Sequence, residues 1–373
     1  MRTFGAESQY PADLPKVISD FTPSAAWVPV LTFEYLRLFY KKKLQSTLCD
    51  INFFRSLGKA CSIKLMKRRD FLKQTLFLSL VAGLTPSLWK GINLNAFAGE
   101  LPSLQKPLLS VAKGTDYQAL VNMVLQPLGG MKTFVKAGNK VVIKPNIGWD
   151  RSPEQAPNTN PLIVKGLVQA ALEAGAAQVL IFDRTCNNAK MCYKNSGIQA
   201  IVESLKDPRA QCVFMDDRKY INTTIPDGQG IKEWGFYRDA LEADCYINVP
   251  IAKNHGITKL TLGLKNIMGV IDGKRGLLHQ NIAEKLADLN SVLRPKLTVI
   301  DATRILLRNG PQGGNLEDVE IMNTVIASTD PVAADAYATT LFGMKPSDLE
   351  TTVAAYKKGL GEMDLDKVKI VTV

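Results

Sequence analysis

From about residue 138 onward, short apolar runs rich in β-branched residues alternate with segments of helical period, and this alternation constrains the chain more than any other feature. Strands are expected at 140–145 (KVVIKP), 178–183 (QVLIFD), 211–215 (QCVFM), 244–250 (DCYINVP), 296–301 (KLTVID), 321–327 (IMNTVIA) and 367–373. Between several of them lie helical patterns at about 161–174, 196–205, 279–293, 331–342 and 347–358. Their ends carry matching signals: Asn160 before Pro161, Asp330 before Pro331, and Gly175 and Gly359 as stops. Such alternation predicts an α/β fold, a layered and mainly parallel β-sheet flanked by helices. The 373 residues show no repeat and no low-complexity linker, so 99–373 reads as a single domain.

The formal charge of +11 suggests a polyanionic partner until its distribution is followed. Residues 1–98 hold 14 Lys and Arg against 6 Asp and Glu, a net of +8, and 99–373 hold 32 against 29, a net of +3. Nothing in that near balance supports a nucleic-acid surface, and there is no aromatic-basic stripe or zinc-finger spacing. The basic excess is explained by 66–98 (MKRRDFLKQTLFLSLVAGLTPSLWKGINLNAFA), which resembles a twin-arginine export signal. Arg68 and Arg69 form the pair, a weakly apolar run from about Thr75 to Leu84 follows, and Ala96-Phe97-Ala98 offers a small-x-small cleavage site. That run is too short to span a hydrocarbon core, which takes ~20 residues. The expected partner is therefore the twin-arginine translocation machinery, with a periplasmic or otherwise exported product and no stable membrane anchor after cleavage. Residues 1–65 are a doubtful leader, consistent with a start codon placed too early; a long leader or a membrane-surface helix is the alternative.

Cysteine usage fits export. Cys186 and Cys192 share an expected loop in which a small disulfide is able to close, whereas Cys212 and Cys245 fall in apolar runs and are expected as buried thiols. No C-x-x-C occurs, which argues against an iron-sulfur cluster on the chain's own cysteines.

Ligands of open α/β sheets collect at the carboxyl ends of the strands. There the sequence places Lys144 and Asn146, then Asp183, then Lys253, Asn254 and His255, and finally Asp301, Thr303 and Arg304. At these residues it resembles the family of domain of unknown function 362, some of whose members are labelled iron-sulfur centre proteins. The likeness runs from about Lys140 to Gly343 through VVIKPNIG, NPLIVKGLVQAALEAGAAQVLIFD, ADCYINVPIAKNHGITKLTLGLKNIMG, LTVIDATR, NGPQGG and TDPVAADAYA. It implies an α/β domain without an established reaction, and the missing ferredoxin-type cysteines separate this chain from the iron-sulfur members.

The segment between the only two histidines, 255–279, reads as a helix over about 258–268, because Ile257, Leu260, Leu264, Ile267 and Ile271 recur at spacings of three and four. On it Thr258, Thr261 and Lys265 would form a polar stripe beside the apolar one. The Asp272-Gly273-Lys274-Arg275-Gly276 turn follows, and His279 would open the next helix, where the helix dipole favours neutral imidazole. The expected site is thus a cleft in which Lys144, Asn146, Lys253 and Asn266 hold a small anionic ligand. His255, Lys265 and Asp301 would carry acid/base chemistry, and His279 with Asp183 are the residues able to add a divalent metal. The alternative is a non-catalytic periplasmic ligand-binding or redox-enzyme maturation factor using the same cleft.

Overall fold

The structure is a computed structural model that describes residues 106–373. The expected leader and the expected export signal with Arg68 and Arg69 lie outside the described residues. In chain order the elements are β1 (Leu108–Lys113), α1 (Tyr117–Leu125), β2 (Lys140–Pro145), α2 (Pro161–Glu173), β3 (Gln178–Ile181), α3 (Ala189–Asn195) and α4 (Ile198–Glu203). Then come β4 (Ala210–Cys212), β5 (Tyr220–Thr224), β6 (Glu233–Tyr237), α5 (Arg238–Leu241), β7 (Cys245–Val249), β8 (Ile251–His255), β9 (Lys259–Thr261) and α6 (Gly263–Asn266). Last are α7 (Ile282–Val292), β10 (Leu297–Leu306), β11 (Val319–Ser328), α8 (Pro331–Thr340), α9 (Glu350–Lys357) and β12 (Lys369–Thr372).

Strands β2, β7 and β10 read as nearly unbroken apolar runs because both faces of the sheet are covered, and all five residues of β7 are buried. Along β2 the side chains alternate, Val141 and Ile143 entering the core beneath α1 and α2, Val142 entering the core on the opposite face with Phe182, Tyr246 and Leu286. Sheet order is β12-β1-β11-β10-β7-β2-β3-β4, with β8 beside β10 and β9 beside β8. The β7-β2-β3-β4 half is parallel throughout; β11 runs antiparallel to β1 and β10, and β9 to β8. This is a mixed, mostly parallel central sheet flanked by helices in a single domain.

The chain lays β3 and β4 outward from β2, then returns to place β7 on β2's other side, with Lys144 opposite Asn248 and Pro145 opposite Val249. That reversal of strand order opens a crevice at the carboxyl ends of β2 and β7. The helix signals hold: Asn160 accepts from Leu162 N, Asp330 from Val332 N and Ala333 N, and Gly175 and Gly359 adopt φ of 98° and 74°.

Three expectations change. The helix over 258–268 is instead strand β9 followed by the short α6, because β8 turns back on itself and pairs His255 with Lys259. Leu260 and Leu262 then point inward by strand alternation. The helix expected from 279 begins at Ile282; His279 ends a 3-10 turn (Arg275–His279), and Asn281, at φ 53°, separates the two. Cys186 and Cys192 are both free thiols, the first exposed and the second buried beside Gly148 O. Cys245 is buried and Cys212 half-buried, and desolvation pushes their thiols up to about 11 and about 12.

Candidate functional site

A cavity of about 570 Å³ opens at the crevice between β2 and β7. Lys144, Asn146, Asp183, Lys253, His255, Lys265, Asn266 and His279 all line it, so eight of the nine residues expected from the sequence converge there. Asp301 does not. Its carboxylate lies fully buried, accepting from Asn160 N at 2.7 Å and from Thr303 N and Oγ1 at 3.0 and 2.7 Å, which ties β10 to the start of α2. Two further cavities, of about 480 and 610 Å³, are lined by side chains of both signs with no comparable convergence.

The floor is a network centred on Asn266. Lys144 Nζ, at the end of β2, donates to Asn266 O and Oδ1, both at 2.7 Å, and pairs with Asp183 Oδ1 at 2.9 Å. Asp183 is held from the other side by Ile147 N at 2.6 Å. Asn266 Nδ2 donates to Asn248 Oδ1 and Lys144 O, while its Oδ1 also receives Asn146 Nδ2 at 3.2 Å. Gly269 passes directly over the ion pair: a methyl group there would overlap Asp183 Oδ1 and Lys144 Nζ. Burial lowers the Lys144 pKa, a shift the Asp183 charge opposes.

Four residues of α6 cannot satisfy their own backbone groups, so buried side chains do it. Asp335 of α8 accepts from Gly263 N and Leu264 N at 2.7 and 2.9 Å; Asn248 donates to Gly263 O and Asn290 of α7 to Leu264 O. Desolvation pushes Asp335 up to about 7, against the pull of those two N–H donors. These contacts position Lys265 and Asn266 and were not legible as such; Asp335 reads in sequence as an ordinary polar-face residue. Its one visible mark is an acid inside an otherwise small and apolar helix, where Ala333, Ala334, Ala336 and Ala338 are all buried.

Five cations line the cavity, namely Lys144, Arg184, Lys253, Lys265 and Arg275, against the single carboxylate of Asp183. Arg184 donates to the carbonyls of Ile271 and Gly273, and Arg275 to those of Arg184, Met268 and Thr185. Lys253 Nζ reaches Pro157 O and Asn146 Oδ1, neutral acceptors only. Lys265 Nζ meets Met268 Sδ at 3.7 Å. Burial is the main reason that Lys253 is pushed down to about 7 and Lys265 to about 8, with neighbouring cations adding to it.

The two imidazoles stack at 6.1 Å between centroids and 17° between planes. His255 Nδ1 accepts from Ile257 N at 3.1 Å and Thr258 N at 3.3 Å, so its proton sits on Nε2. His279 Nδ1 lies 3.2 Å from Gly276 O, which only accepts, so Nδ1 is the donor and the neutral ring carries its lone pair on Nε2. One ring is a donor and the other an acceptor. Burial pushes His255 down to about 3, with the Lys265 charge and other cations assisting, so it stays neutral at physiological pH. Among the described residues no group of three or more His, Cys, Asp or Glu gathers to hold a metal; His279, Asp183, His255 and Cys186 share the cavity but do not converge as a ligand set. Thr261, expected only as part of a helical stripe, lines the cavity with a buried hydroxyl that has no hydrogen-bond partner.

A thylakoid-associated protein of Synechocystis sp. is 27% identical over 265 residues, spanning 68% of this chain and 79% of that protein. Among solved structures, the lactate racemase apoprotein from Thermoanaerobacterium thermosaccharolyticum aligns with a TM-score of 0.41 at 14% identity, over 65% of this chain and 58% of that one. A structural-genomics protein from Thermotoga maritima gives 0.40 at 14% identity, over 62% and 60%. The chain thus spans less than two thirds of either solved protein. The family described as domain of unknown function (DUF362) matches residues 141–340, which include every lysine, asparagine and histidine of the cavity floor, and the chain belongs to that family.

Proposed function

We propose that the cavity binds a small carboxylate or phosphate, with Lys265 as the cation that meets it. The observation that carries this reading is the state of the Lys265 ammonium, drawn into the cavity wall with a thioether as its hydrogen-bond partner while the surrounding cations hold oxygen acceptors. A half-buried cation without a counter-charge is partly desolvated with nothing to offset it, and an entering anion relieves that. Lys253, which lacks a carboxylate partner too, adds a second positive charge, and Thr261 Oγ1 and His255 Nε2 supply donors. His279 Nε2 is the group able to accept a proton from the bound ligand, which makes acid/base chemistry on the anion the enzymatic version of this reading. The donor set favours an anion over a bare divalent metal, so a metal assisting here would be held partly by the ligand's own oxygens.

Calorimetric titration of the full chain with phosphate and with acetate, repeated on Lys265→Met, tests this: binding that the variant loses supports it, and binding to neither anion ends it. Turnover of a bound ligand that His279→Gln abolishes would favour the enzyme; binding without turnover would favour the ligand-binding or maturation factor. We further propose export through the twin-arginine route to the periplasm. Replacing Arg68 and Arg69 by Lys should trap the protein inside the cell.

A further inference from the structure

The cavity has an inverted profile. Lys144 and Lys253, each 1% exposed, and Asn266, 2% exposed, are sealed at the floor, Lys265 is half-buried above them, and Ile257 on the wall is 62% exposed. A single exposed isoleucine is unremarkable on a protein surface. Here, however, three separate segments bring apolar groups to one cavity: Trp149 from the loop after β2, Ile257 from the β8–β9 turn and Pro311 from the loop after β10. Ile257 is also fixed in place, because its backbone N–H is one of the two that His255 Nδ1 accepts. Acetate or phosphate on the lysines would fill only a small part of 570 Å³, a volume suited to a larger organic ligand.

We propose that the ligand is an amphiphile, an organic carboxylate or phosphate monoester whose head lies on Lys253 and Lys265 and whose apolar chain or ring, several carbons long, lies along Trp149, Ile257 and Pro311. This deepens the anion-binding reading and rests on it. The apolar rim acts as the specificity element: it removes carbon from water where the head group cannot, and each methylene fully seated there raises affinity by up to about fourfold. Small inorganic anions meet the lysines but leave the rim wet.

The test is a calorimetric series on the full chain, with inorganic phosphate, butyl, hexyl and phenyl phosphate in one arm and acetate, butyrate and hexanoate in the other. Affinity should climb with carbon content in at least one arm, which also identifies the preferred head group. Ile257→Ser, a change at an exposed side chain that retains the backbone bond to His255, should flatten the climb while leaving phosphate or acetate binding within about twofold. Binding of the parent anions with no dependence on chain length, or a climb unaffected by Ile257→Ser, overturns the amphiphile while sparing the anion site. Failure of every anion in both arms removes the underlying reading and this one with it.

Discussion

Lys253→Met should make the ligand-free protein more stable, and more so at low pH. The ammonium is 1% exposed and bonded to Pro157 O and Asn146 Oδ1, with neutral acceptors and no carboxylate as its direct partners. Its pKa of about 7 in the fold lies below the ordinary lysine value near 10.5, so between those values the unfolded chain binds more protons than the folded one. Stability contributed at this position therefore rises with pH across that window, and the penalty is fully present below pH ~7. At ~1.4 kcal/mol per pH unit the gross penalty approaches roughly 5 kcal/mol at pH 6 and falls to roughly 2 kcal/mol at pH 9. Methionine keeps most of the stem volume but leaves Pro157 O and Asn146 Oδ1 without this donor, which costs about 1–3 kcal/mol. The variant should gain about 2–4 kcal/mol at pH 6, and the gain should shrink by about 2–3 kcal/mol by pH 9. Denaturant unfolding of both proteins at the two pH values measures this. A stability difference that does not change with pH would show that the amine is not held as a desolvated cation, and the electrostatic argument for the cavity would fail.

The same lysines set the pH dependence of binding, because the ligand needs them charged. Affinity for phosphate or acetate should be greatest below the Lys253 value of about 7 and decline above the Lys265 value of about 8, approaching a tenfold loss per pH unit for each proton taken up on binding. Titration calorimetry from pH 6 to 9.5 reads it, and a rising affinity would contradict it. Gly269→Ala places a methyl on the Lys144–Asp183 pair and should destabilise by roughly 3 kcal/mol or more, measured by denaturant unfolding. Asp335→Ala strips the acceptor from Gly263 N and Leu264 N. It should cost about 2–4 kcal/mol, speed hydrogen exchange at those two amides and weaken anion binding through the loosened Lys265.

What the sequence reveals about the site follows from parallel strands having their carboxyl ends on one side. Lys144, Asp183 and Lys253 are each the first charged group after a buried run, so aligning β2, β3 and β7–β8 in one direction brings them together without further information. Asp301 obeys the same local rule and is drawn instead beneath α2, because Asn160 N and Thr303 compete for its carboxylate from positions no periodicity reveals. The spacing of Ile257, Leu260, Leu264 and Ile267 suits a helix, yet pairing of β9 with β8 and the His255 side chain on Ile257 N and Thr258 N decide for a turn and a strand. Local pattern thus locates the strands and the end of the sheet where chemistry gathers; contacts distant in sequence decide which charges are left without a partner. That division explains why Lys265 is informative. Its neighbours Lys144 and Lys253 are satisfied, fully or in part, by the fold itself, whereas the α6 backbone is held by three buried polar side chains from β7, α7 and α8. So much buried polar bonding spent on a four-residue helix is costly to assemble, and it makes physical sense where Lys265 and Asn266 must keep their places with the cavity empty.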